Sequence, residues 1–189
     1  MIIFKKWIRE FLSLFVFLKF KNIFNLHDYL YANNKISGVC ASVYTHYCDR
    51  HASYVGIKTK ISGHPYLPHG LNGIFISNEA SIGKNAVIFQ NVTIGSARSI
   101  GSTNKGAPQI GDNCYIGTGA VLIGNIKIGN NVRIGANATV YTDVPDNSVV
   151  VSGETKIIQK ENLDNRFVTV INNKEYYWDV ETSSFKELD

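Results

Sequence analysis

Between residues 76 and 140 the aliphatic positions fall on a six-residue grid. Ile76, Ile82, Ile88 and Ile94 stand six apart, and Ile110, Ile116, Leu122, Ile128, Ile134 and Val140 take up the same step. A glycine often follows the aliphatic residue, as at Gly83, Gly95, Gly111, Gly117, Gly129 and Gly135. Four residues after it comes a small or apolar one: Ala80, Ala86, Val92, Cys114, Ala120, Ile126, Val132, Ala138 and Val144. A helix repeats every 3.6 residues and a strand every two, so neither explains the grid. A period of six predicts one short strand and one turn per repeat, with the aliphatic residue inward and the small residue at the corner. Three such strands close a triangular coil. Stacked coils pair each backbone amide with the coil above or below and bury a column of side chains. One coil cannot bury its own face, so the pattern predicts an all-β solenoid of several coils.

The grid breaks between Ile94 and Ile110. Ile100 would be in frame, but Arg98 would then point inward, and the segment is rich in Gly and Ser. Residues 95–109 are therefore expected to form a loop thrust out of the coil. Beyond the grid, "RFVTVINNKEYYWDV" predicts two short strands around Asn172-Asn173, a hairpin that, with Trp178, covers the open end of the solenoid.

At the other end, Ile3, Trp7, Phe11, Leu14 and Leu18 recur at helical spacing, and Lys5, Lys6 and Arg9 add positive charge. This predicts a basic amphipathic helix. The apolar run from Phe11 to Leu18 is far short of the ~20 residues that span a bilayer. Lys19, Phe20 and Lys21 follow it where a secretory signal would place small residues. The helix is expected to pack on its own domain or on a neighbouring subunit, with peripheral contact to a membrane surface as the second reading. The expected organisation is a helical cap over residues 1–54, a β-helix domain over 55–158 and a capping hairpin over 159–189.

Composition narrows the class. With 189 residues and 44% hydrophobic content, the chain can bury one real core. Only 18% of residues are charged and 16 are glycine, which suits a turn-rich β protein better than a helical bundle. A net charge of +4 is too weak a bias to argue for nucleic acid and suits an anionic small ligand equally well. Cys40, Cys48 and Cys114 are odd in number and match no zinc spacing. They predict buried free thiols in a reducing, cytoplasmic setting.

The candidate chemistry lies in "GHPYLPHGLNG", from Gly63 to Gly73, which sets His64 and His69 at the foot of the ladder. The stretches "LPHGLNGIFIS", "NAVIFQNVTIG", "GAPQIGDNCYIGTGAVLIGNIKIG" and "NVRIGANATVYTDVPDNSVVV" make residues 55 to 153 resemble the hexapeptide-repeat acyltransferases. Within that family the likeness is to serine O-acetyltransferases and the capsular saccharide O-acetyltransferases. The resemblance implies a left-handed parallel β-helix, acetyl-CoA as acyl donor, no metal, and a homotrimer with active sites between subunits. It maps the catalytic base onto His69. The chain departs from serine acetyltransferases at Pro68, where they carry an acidic residue, and at Gly106-Ala107-Pro108, where they place a second histidine before the proline. In "SYVGIKTK" no acidic partner for the base is found.

Moving an acetyl group from a thioester to an alcohol needs a base near neutral pH, and histidine has an unperturbed pKa of ~6.5. The anionic tetrahedral intermediate wants amide donors, for which Gly95 or Gly117 is a candidate. Gly117, Gly119, Ala120, Gly135 and Ala136 would let a pantetheine arm approach the backbone, and Lys156 would meet a CoA phosphate. The same glycines are equally tight-turn residues that any such coil needs. His64, Arg98 and Ala107 are the candidate acceptor contacts. Two other classes stay open. His64 and His69 form an H-x4-H pair like that of γ-type carbonic anhydrases, but His27, His46 and His51 all precede the ladder and none within it offers a third zinc ligand. An inert solenoid serving as a binding module is the other.

Overall fold

In the computed structural model of the protein, the described residues are 14–16, 18–153, 168–171, 174–179 and 184–188. Ile3, Trp7, Phe11 and Lys156 lie outside them. The chain divides into two units, Met1–Gly153 and Glu154–Asp189.

The first unit opens with helical residues 14–16 and 18–20, then α1 (Ile23–Ala32) and α2 (Val39–Arg50). Asn22 caps α1, its side-chain oxygen accepting the Asn25 N–H at 2.8 Å. Ile23, Leu26, His27 and Leu30 recur on one face of α1 and are buried. From α2, Tyr44 donates its hydroxyl to the Val55 carbonyl at 3.0 Å, which ties the helices to the first coil. The apolar stripe read from the sequence does not pack on the domain where it is described. Leu14 and Leu18 are 59% and 70% exposed, and Val16 and Phe20 pack against the core instead.

The solenoid follows in five coils. The first holds β1 (Tyr54–Val55) and β2 (Lys60–Ile61), and the second β3 (Phe75–Ile76), β4 (Ser81–Ile82) and β5 (Val87–Ile88). The third holds β6 (Thr93–Gly95), β7 (Gln109–Ile110) and β8 (Tyr115–Ile116). The fourth holds β9 (Val121–Ile123), β10 (Lys127–Ile128) and β11 (Arg133–Ile134), and the fifth β12 (Thr139–Val140) and β13 (Val149–Val150). They build three parallel sheets, ordered β1-β3-β6-β9-β12, β2-β4-β7-β10 and β5-β8-β11-β13. The register stacks the grid directly: Ile76 on Ile94 on Leu122 on Val140, Ile82 on Ile110 on Ile128, and Ile88 on Ile116 on Ile134. Each of these is at most 4% exposed.

Asparagine, rather than glycine alone, makes the corners. Asn85, Asn91, Asn113, Asn131, Asn137 and Asn147 all have φ between 55° and 60°, the left-handed turn that asparagine tolerates best among residues with a side chain. Side-chain oxygens then cap the amides of the coil below. Asp112 accepts from Lys84 N at 2.7 Å, Asn130 from Asp112 N at 2.8 Å, and Asp146 from Asn130 N at 2.7 Å. These contacts satisfy corner amides that the sheets leave unpaired.

The expected loop leaves the third coil between β6 and β7. Ala97 and Gly106 close its base with two backbone hydrogen bonds of 2.9 and 3.2 Å, and Ile100 at its tip is 97% exposed. The second unit holds the expected hairpin, β14 (Val168–Ile171) with β15 (Lys174–Asp179), and adds a strand the sequence did not disclose, β16 (Ser184–Glu187), antiparallel to β15. That strand is four residues long and every one is exposed, so it carries no core signature.

Candidate active site

His69 sits on an inserted turn. Tyr66 bridges Val87 in the third sheet, so the chain has reached the end of its first coil. A six-residue step would return it to the first sheet at once. Instead Leu67–Gly73 form a turn before β3 begins at Phe75. Gly70 and Gly73 hold φ of 68° and 66°, and a Cβ at Gly73 would collide with the Asn91 side chain. Buried Leu71 anchors the turn, and Asn72 Nδ2 donates to the His69 carbonyl at 2.8 Å. The His69 imidazole is thereby exposed at the corner between the third and first sheets.

Its surroundings are largely neutral. His69 Nδ1 lies 2.6 Å from Gln90 Oε1, one coil further on. Phe89 stands edge-on to the ring, with centroids 5.6 Å apart at 86°. Phe89 in turn meets Tyr115 at 5.1 Å, and the Arg133 guanidinium lies 5.6 Å from the Tyr115 ring centre. An imidazole held along one nitrogen with the other open can accept and return a proton.

The other expected site residues are distributed elsewhere. His64 Nε2 lies 2.8 Å from Asp28 Oδ2, and its ring stacks on Phe24 at 5.5 Å. It docks α1 onto the first coil, which accounts for it without an acceptor. His64 and His69 thus have separate partners, and among the described residues no group of three or more His, Cys, Asp or Glu side chains is placed to hold a metal. Gly95 ends β6 and Arg98 lies just past it, at the opposite edge of the first sheet from His69. There Arg98 pairs with Glu79 beside a shallow groove floored by Phe75, Ser77 and Thr93. Ala107 and Ala120 are 4% and 0% exposed, so their side chains belong to the core.

The glycines are explained by stacking. A Cβ on Gly117 would come within 2.8 Å of Ala136 N, one on Gly119 would collide with Asn137 Oδ1, and one on Gly135 would lie 3.0 Å from the Val150 oxygen. These positions are closed by the next coil. What the corner above His69 does offer is a run of short side chains, Asn91, Thr118, Ala136 and Asn137, with Ala136 and Asn137 exposed.

Sequence reasoning missed Gln90 and Asp28. Gln90 had no signal in the sequence, because the 21-residue offset that it shares with the Tyr66–Val87 bridge departs from the six-residue grid and is seen only in the structure. Asp28 had none, since nothing in the sequence says which helix turn meets which coil.

The family model for the bacterial transferase hexapeptide (six repeats) matches residues 107–142. That stretch of the ladder is similar to the hexapeptide repeat of bacterial transferases. Solved structures that the chain resembles include serine acetyltransferases. Isoform 3 from Entamoeba histolytica, in complex with cysteine, is 33% identical with a TM-score of 0.61 over 74% of this chain and 48% of that one. The Neisseria gonorrhoeae enzyme is 26% identical with a TM-score of 0.56 over 75% and 52%. The soybean enzyme complexed with serine is 26% identical with a TM-score of 0.57 over 72% and 56%. The chain therefore spans about half the length of the structures it matches. Among curated proteins no sequence match is found. The hexapeptide repeat and these neighbours imply a left-handed hand for the parallel β-helix.

Proposed function

We propose that the protein is an acetyl-CoA-dependent O-acetyltransferase in which His69 is the general base. The observation that carries this is the exposed imidazole, raised on its own inserted turn at the foot of a hexapeptide ladder and held at one nitrogen. His69 takes the proton from the acceptor hydroxyl as its oxygen attacks the acetyl carbon. An ester C–O bond forms, the thioester C–S bond breaks, and the proton passes to the departing thiolate. No serine or cysteine nucleophile is required. The donor supplies an activated acetyl group. The run of short side chains above His69, from Asn91 to Asn137, is the shelf on which its pantetheine arm would fit.

The working form in this reading is a homotrimer with shared sites. Gly95, Arg98 and the loop stand at the edge of the first sheet away from His69, so the loop edge of a second subunit is needed to complete a site around the base. The exposed Ile100 at the loop tip is suited to such a contact.

Serine is one acceptor, as the neighbours are serine acetyltransferases. A sugar hydroxyl is the second reading, and a specific observation favours it. Phe89 stands beside His69 with Tyr115 behind it, and these rings offer an aromatic face on which a sugar ring can stack. The test is thiol release from acetyl-CoA with a panel of serine, amino sugars and polysaccharides. His69→Ala should lower kcat by about 10²–10⁴ with acetyl-CoA affinity and melting temperature retained. Near-normal turnover by that variant would overturn the assignment.

A further inference from the structure

We infer that Gln90 is the positioning residue for His69, fixing the ring proton on Nδ1 so that the Nε2 lone pair faces the acceptor. This rests on the reading of His69 as base. The Gln90 Oε1 that lies 2.6 Å from Nδ1 is an acceptor only. It is satisfied only if Nδ1 carries the proton, and a neutral imidazole protonated there has its free lone pair on Nε2.

Gln90 is well anchored for this task. Its carbonyl accepts the Gly119 N–H from the coil above at 3.1 Å, and the next residue, Asn91, donates its N–H to the Asn72 carbonyl of the histidine turn at 3.1 Å. The backbone is thus tied on both sides of the corner. Asn72 also holds the His69 carbonyl, and Phe89 braces the ring from the side. Ring, turn and amide form one closed set of contacts.

The chemistry differs from that of a carboxylate partner. An amide orders the ring without adding charge, so it selects a tautomer and stabilises the imidazolium formed during transfer less than a carboxylate would. The charged and titratable groups nearest along the packed column are Tyr115 and Arg133, behind Phe89. No carboxylate has a contact with His69 among the described residues. The imidazolium is left free to return its proton to the thiolate.

The experiment compares the full chain with Gln90→Ala, Gln90→Glu and His69→Ala. The readouts are ¹⁵N chemical shifts of the His69 ring, kcat and KM for acetyl-CoA, and the pH profile of kcat. In the wild type the ring should read as the Nδ1–H tautomer. Gln90→Ala should mix the tautomers and lower kcat by about 10- to 100-fold, the usual effect of removing an imidazole's outer partner, with KM for acetyl-CoA unchanged. Gln90→Glu has nearly the same shape, so it covers the case in which the alanine variant does not fold. It should keep the tautomer and move the acid limb of the profile up by about one unit, because a carboxylate favours the imidazolium. An inactive His69→Ala beside a Gln90→Ala of normal turnover and tautomer would overturn the role of Gln90 alone. A Gln90→Glu profile that does not move would overturn it too. An active His69→Ala would instead remove the base itself.

Discussion

Asp28 on α1 and His64 on the first coil meet at 2.8 Å, across 36 residues of sequence. Their side chains are 52% and 38% exposed, and Phe24 from the same helix stacks on the imidazole. The pair clamps the helical cap to the solenoid next to the histidine turn. Where the imidazole is protonated, Asp28→Asn should cost about 0.5–1 kcal/mol of stability, the range for partly exposed ion pairs, and less at high salt. Thermal melts at low and high ionic strength check this. His64→Ala should lose a similar amount and leave kcat near normal. A large loss of kcat with unchanged stability would return His64 to the acceptor site.

Stability should fall in mild acid through His27. Burial holds its pKa below the usual 6.5, against the opposing pull of the Gly56 carbonyl at 3.2 Å and Asp28 at 3.6 Å. The Tyr31 and Tyr44 rings flank it, and His64 adds a further repulsion once charged. The folded state therefore binds fewer protons than the unfolded chain below pH 6.5. Stability is full above that value and declines as pH falls from it toward the folded pKa. Melting temperatures between pH 7.5 and 5 should drop, and His27→Gln should flatten the slope.

Gly119→Ala separates a turn glycine from a ligand glycine. Its φ is 67° and the new Cβ would collide with Asn137 Oδ1. The variant should lose about 1–3 kcal/mol by denaturant titration. Adding Asn137→Gly should recover the steric part. If Gly119→Ala left stability intact and raised KM for acetyl-CoA, the glycine would belong to the donor site instead.

Replacing the loop tip, Ser99–Thr103, by two glycines should leave the coils intact, because it keeps Asn104, whose carbonyl accepts the Asn125 N–H at 3.3 Å. The base is closed by Ala97 and Gly106, and Ile100 at the tip contributes almost nothing to the core. Acceptor turnover should fall more than affinity for acetyl-CoA. Sedimentation of the same variant tests the assembly: a trimer that loses acceptor turnover places the loop at the site. A dissociated chain assigns the loop to subunit contact.

The buried thiols should be inert. Burial raises the Cys48 pKa to about 11 and pushes Cys114 up as well. Both are therefore thiols at neutral pH, and the thiolate is the reactive form. A thiol reagent should modify native protein at half-buried Cys40 and reach the other two only after unfolding. Rapid modification of all three in native protein would contradict the packing described here.

The repeat was legible because its information is local. Ile76, Ile94, Leu122 and Val140 must all point inward for any coil to form, so the six-residue spacing specifies sheets, stacking and loop without reference to distant residues. His69 stood out in the sequence by its place in a Pro-His-Gly stretch at the foot of the ladder and by the family resemblance. The partners of those residues were decided by tertiary structure alone. Gln90 meets His69 because three residues inserted in one corner bring two successive coils into line there. Asp28 meets His64 because α1 buries Ile23, Leu26 and Leu30, and the rotation that hides those side chains leaves Asp28 facing the coil. The burial of Ala107 and Ala120 likewise follows from closing the prism. A sequence states which side chains are apolar, whereas the neighbours of its polar groups are set by how far and at what angle the packed elements come to rest.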